Sequence, residues 1–123
     1  MEEIYLSEDF LMDVPIMCGV SVKLYLALIR LEKILKVGEE PETWVKSSYE
    51  SLQLYSGIKS TNGIRQAVIE LTKFGWMKDY IRGGYDMINA KRVGRSSQFL
   101  ISHKKLDAEQ IEEVFKKVIG ETI

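Results

Sequence analysis

The chain has 123 residues, a net charge of -1 and an isoelectric point near 5.9. That length supports one domain with its own core and excludes two ordinary ones; no run of about eighteen apolar residues offers a membrane span, and the acidic start MEEIYLSEDF is not a secretory signal, so a soluble, cytoplasmic protein is expected. Cys18 is the only cysteine, which excludes an internal disulfide and a Cys-rich zinc site, and its neighbours Ile16, Met17 and Val20 predict a buried, inert thiol.

Residues 1–20 mix Tyr5, Leu6, Phe10, Leu11 and Val14 with acidic side chains, and Pro15 interrupts any continuous helix. They are expected to be extended or irregular, with a short strand near Phe10 to Val14. Ser21 is the expected cap of a helix running to about Lys36, where Gly38 and the polar GEEPE loop end it. This helix carries one apolar stripe at Leu24, Ala27, Leu28, Leu31, Ile34 and Leu35 and a second at Val22, Tyr25, Leu26 and Ile29, so it must be covered on two sides. Trp44 and Val45 predict a short strand.

Ser47 to Leu71 predicts two short helices joined by a tight turn. Ser48 is the cap of the first, Tyr49, Leu52 and Tyr55 share its inner face, and Gly57 tolerates a left-handed end. Ile58 plugs the turn, Ser60 or Thr61 caps the second helix, and Ile64, Ala67, Val68, Leu71 and Phe74 form its inward stripe as far as Gly75. From Trp76 the pattern turns β-rich, with strands near 76–81 and 97–102 around a loop carrying Arg82, Lys91, Arg92 and Arg95. Residues 107–119 predict a last amphipathic helix, with Asp107 and Gln110 as a capping box and Ile111, Val114, Phe115 and Val118 on one face.

The pattern S-Y-E-x-L-x-x-x-S-G-I-K-S-x-N-x-I-R-x-A-V-x-E-L-x-x-x-G-W-M, from Ser48 to Met77, resembles the winged helix-turn-helix domains of plasmid and phage replication initiators and of many bacterial regulators. The resemblance runs on to Ser102 and makes the β-hairpin a wing. It implies a mainly α fold with a small β-hairpin: an N-terminal extension (1–20), a winged helix-turn-helix domain (21–105) and a C-terminal helix (106–123) that could dimerise. The wing ending R-V-G-R-S-S is also similar to that of small plasmid partition adaptors. The resemblance implies sequence-specific binding of double-stranded DNA in replication, partition or transcription. The alternative is a winged helix that docks proteins and leaves DNA alone. No Walker loop, G-x-G-x-x-G, G-x-S-x-G or metal-spaced Cys/His pair is present, so no enzyme, metal or cofactor is expected; His103, beside Lys104 and Lys105, predicts an exposed or phosphate-adjacent role.

In a helix-turn-helix the second helix enters the major groove. With Ile64 inward, a turn of about 100° per residue puts Asn62, Arg65, Gln66, Ile69 and Lys73 outward. Arg65 and Gln66, then Asn62, are the expected base readers, since each bidentate pair discriminates by about 1–3 kcal/mol. Ser60 and Thr61 are placed for phosphate at the helix start. Lys73, Arg82, Lys91, Arg92 and Arg95 are expected at phosphates or in the minor groove. Charge distribution agrees: residues 57–105 hold ten Lys/Arg against three Asp/Glu, while residues 1–56 hold five against ten and residues 106–123 two against five. Leu54 and Ile69 point away from the expected core, Ile69 toward a thymine methyl or both toward a protein partner. The second stripe of the first helix and the C-terminal helix either form a homodimer interface or pack against each other within one chain.

Overall fold

The N-terminal residues are helical. Ser7 accepts the Phe10 N–H at 3.2 Å and caps helix α1 (Glu8–Asp13), with Glu8 and Asp9 in its first turn. Pro15 does not forbid this helix but follows it, in the first turn of a short 3-10 segment (Val14–Ile16), where no backbone donor is needed. The expected extended segment and strand near Phe10 are therefore replaced by a helix. The chain is described here by a computed structural model covering residues 6–36, 42–82, 85–86, 91–92 and 96–120.

Helix α2 (Gly19–Leu35) starts ahead of the cap expected at Ser21. Cys18 holds the N-cap position, its carbonyl accepting the N–H groups of Ser21 and Val22. Ser21 is thereby drawn into the first turn and buried, and Cys18 is exposed, contrary to the buried thiol expected. Both apolar stripes of α2 find cover within the chain. Phe10 stacks on Tyr25 with ring centroids 4.1 Å apart, and Trp76 meets both rings edge-on at 5.2 and 5.9 Å. Leu26 of the second stripe and, in the last turn, Ile34 and Leu35 of the first, all expected to be covered, are exposed.

Strand β1 (Val45–Ser48) leads directly into α3 (Tyr49–Ser56), with Ser48 accepting the Ser51 N–H at 3.0 Å as the expected cap. Gly57 ends α3 at φ 78°, a left-handed conformation that a side chain would strain. Of the two candidate caps, Ser60 performs the task, accepting the Gly63 N–H at 2.9 Å to open α4 (Thr61–Lys73). Ile64, Ala67, Val68 and Leu71 are fully buried as their spacing predicts, whereas Tyr55, assigned to the α3 inner face, is 62% exposed.

Strands β2 (Met77–Ile81) and β5 (Ser96–Ile101) pair antiparallel, and β1 adds to the far edge of β5 with Val45 opposite Phe99. The result is a mainly helical chain with a small three-stranded antiparallel sheet of order β1-β5-β2. Between β2 and β5, the two-residue strands β3 (Tyr85–Asp86) and β4 (Lys91–Arg92) make a second small ladder. Helix α5 (Ala108–Gly120) opens with the predicted capping box: Asp107 Oδ1 accepts the Gln110 N–H at 2.9 Å and Gln110 Oε1 accepts the Asp107 N–H at 3.1 Å. It packs on α4 and β2, burying Val114 and Val118. Of the α2 stripe offered above for a dimer, Tyr25 and Ile29 are buried within one chain, Val22 is half-buried and Leu26 is exposed, while α5 buries Val114 and Val118. No helix among the described residues is long and apolar enough to cross a membrane.

Three long-range contacts tie the ends to the middle. Asp13, itself buried, accepts from Trp76 Nε1 at 3.0 Å and from Lys105 Nζ at 2.7 Å through the same carboxylate oxygen. The Tyr25 hydroxyl donates to the Ser102 carbonyl at 2.7 Å.

Candidate functional site

The exposed surface of α4 is bordered by the start of α2 on one side and by α5 on the other. Its beginning, at Ser60, Thr61 and Asn62, is open to solvent, as are Gln66 and Lys73 further along. Ile69 is half-buried against the core. The Lys73 ammonium lies 5.7 Å from the Phe115 ring centroid, a cation–π contact to α5.

Arg65 departs from the expectation. Rotation from Ile64 put it outward, but it is half-buried, and its Nη2 approaches the Val118 carbonyl at 3.5 Å. Val118 belongs to the last turn of α5, whose carbonyls lack helical partners and carry the negative end of the helix dipole, so a guanidinium is attracted there. Arg65 also acts electrostatically on the Tyr49 hydroxyl, as does the exposed Arg82 after β2. That hydroxyl is 2.7 Å from the Tyr80 hydroxyl. Burial and this hydrogen bond push its pKa up, and the two arginines oppose the shift. Lys91 and Arg92 fall in β4, while Arg95 lies outside the described residues.

Asn62, Gln66 and Lys73 therefore share one exposed face of α4, Thr61 is exposed at the start of the helix, and Arg65 lies at the edge of that face. Lys59, absent from the residues expected at the site, is exposed immediately before the α4 cap; its place in the basic stretch was the available signal. Charge pairing separates this surface from the rest. Lys78 pairs with Glu42, Lys105 with Asp13 and Lys117 with Asp79, whereas among the described residues no ion pair engages Lys59, Arg65 or Lys73.

A groove of about 440 Å³ lies elsewhere, lined by Glu32, Lys36, Lys78 and His103 among others and by no residue of α4. His103 Nε2 is 2.7 Å from Glu32 Oε1, and this hydrogen bond raises the imidazole pKa above 6.5 against the opposing effect of burial. The histidine is exposed as expected, but its partner is a carboxylate.

Comparison with family models, curated proteins and solved structures gives no match to this chain.

Proposed function

We propose that the chain is a winged helix-turn-helix protein that binds double-stranded DNA, with α4 in the major groove and the extended β2–β5 hairpin as its wing. The order α2, β1, α3, α4, β2, β5 and the sheet order β1-β5-β2 support this reading, as does the tight turn between Gly57 and Ser60. The observation that carries it is the exposed α4 face, where Asn62 and Gln66 sit between Lys59 and Lys73, both free of ion pairs among the described residues. Amide side chains there match adenine edges, and uncompensated lysines match phosphates. Arg65, held toward α5, gives up first place as base reader to Gln66 and Asn62. The role is in replication, plasmid or phage partition, or transcription.

Fluorescence anisotropy with labelled duplexes tests the proposal. If about four phosphates are neutralised, affinity falls about a hundredfold between about 50 and 200 mM salt. Arg92→Ala with Arg95→Ala flattens the log–log salt slope by about two. Asn62→Ala with Gln66→Ala costs about 1–3 kcal/mol of discrimination per lost base pair contact on a duplex selected from a random pool. Absence of binding at low salt refutes the DNA role. It would leave protein docking as the second reading, which is favoured by Leu54 and Tyr55, 87% and 62% exposed side by side on α3.

A further inference from the structure

Two mixed apolar and charged faces stay open to solvent, one on α2 and one on the N-terminal helix. On α2, Lys23, Leu26, Arg30 and the pair Lys33 and Ile34 recur at intervals of three and four, so they share one side of the helix. Leu26 and Ile34 are exposed, as are Lys23 and Arg30, and Lys33 is half-buried. This strip is apolar and basic. On α1 and the 3-10 segment behind it, Glu8, Asp9, Leu11, Met12 and Ile16 are all exposed, Met12 and Ile16 at 76% and 68%. This face is apolar and acidic. The Phe10–Tyr25 stack sets α1 against α2, so both faces belong to one helix pair. Among the described residues, no ion pair engages Lys23, Arg30, Lys33, Glu8 or Asp9.

Each face offers the charge that the other lacks, and each adds apolar side chains to bury. Their spans also agree, at about 15 Å for α1 with its 3-10 extension and about 17 Å for the α2 strip, from rises of about 2.0 and 1.5 Å per residue. We infer that a second copy of this chain covers both: α1 of each copy lies along the α2 strip of the other across a two-fold axis, with Glu8 and Asp9 of one against Lys23, Arg30 and Lys33 of the other. The two-fold axis makes this contact twice, so neither face is left open. Nucleic acid or an anionic lipid surface would match the α2 strip but be repelled by Glu8 and Asp9, whereas a second copy meets both signs. No residue of α4 takes part, so the inference does not depend on the proposed DNA role.

Sedimentation equilibrium of the full chain, from low to high micromolar concentration, tests this. The chain is expected to reach the mass of a dimer, with a Kd that rises with salt because part of the attraction is ionic. Lys23→Glu with Arg30→Glu sets like charges face to face at both contacts and is expected to raise Kd by about tenfold or more, as is Glu8→Lys with Asp9→Lys. An equimolar mixture of these two variants restores opposite charges at both contacts and is expected to dimerise with a Kd within about threefold of the parent value. All four positions are exposed, so the variants keep the fold, which far-ultraviolet circular dichroism checks. Leu26→Asp provides a further variant, expected to weaken the dimer at every salt concentration. A monomer throughout the concentration range, a dimer indifferent to either charge reversal, or a mixture no tighter than its components overturns the inference.

Discussion

Replacing Phe10 tests whether the N-terminal helix belongs to the core. The ring is fully buried, stacked on Tyr25 at an interplanar angle of 18° and edge-on to Trp76 at 83°. Phe10→Ala deletes a buried aromatic ring, which costs about 3–5 kcal/mol, including two aromatic contacts of about 0.5–1.5 kcal/mol each. That is a large share of the roughly 5–15 kcal/mol that holds a domain folded. Phe10→Leu keeps most of the volume and costs less than about 1.5 kcal/mol. Urea unfolding followed by tryptophan fluorescence measures the difference, because Trp76 lies against the deleted ring. With a slope near 2 kcal/mol per molar, Phe10→Ala lowers the midpoint by about 2 M and Phe10→Leu by less than about 1 M. A Phe10→Ala midpoint within about 0.5 M of the parent chain, at an unchanged slope, would refute the inference that α1 is part of the cooperative core.

Asp13→Ala strands the buried Trp76 N–H and is expected to cost about 1–3 kcal/mol; a double-mutant cycle with Trp76→Phe should show coupling of about 0.5–3 kcal/mol in urea melts. Gly57→Ala, at φ 78° with open space around it, should cost about 1–2 kcal/mol, and Gly75→Ala more, since at φ 86° its new methyl would stand 3.0 Å from the Leu106 nitrogen; thermal melts giving the reverse order would contradict this packing. His103 should titrate above 6.5 by NMR and move back toward that value in Glu32→Gln. Because the folded pKa is the higher one, the contribution of the pair to stability is fully present below 6.5 and is lost as pH rises through the folded value; with the imidazole 54% exposed, solvent screening keeps it under about 0.5 kcal/mol.

The segment from Ser48 to Gly75 was legible because its signals are local. Ser48 and Ser60 cap helices three residues ahead, Gly57 ends one, and the inward stripe of α4 follows from spacing alone. The N-terminal segment was not, because its helix is secured by Tyr25 and Trp76, which no periodicity within residues 1–20 reveals. Pro15 was read as a general breaker when it only closes α1. Arg65 shows the limit of rotating a helix about one known core residue. Its angle puts it at the flank of α4, where the neighbouring element decides its surroundings, and the end of α5 supplies a carbonyl there. Cys18 and Ser21 exchanged roles for a related reason: a shift of a few residues in the start of α2 carries one to solvent and the other into the interior.

Two of the hydrogen bonds that fasten the beginning of the chain to its later part join residues especially far apart in sequence: 77 positions from Tyr25 to Ser102, and 92 from Asp13 to Lys105. Contacts of such long range form only after the intervening polypeptide exists. During synthesis, Phe10 and Tyr25 therefore leave the ribosome well before Trp76 and β5 can shelter them. Over that interval the nascent chain presents adhesive aromatic surface, and a holding chaperone would find its most accessible target there.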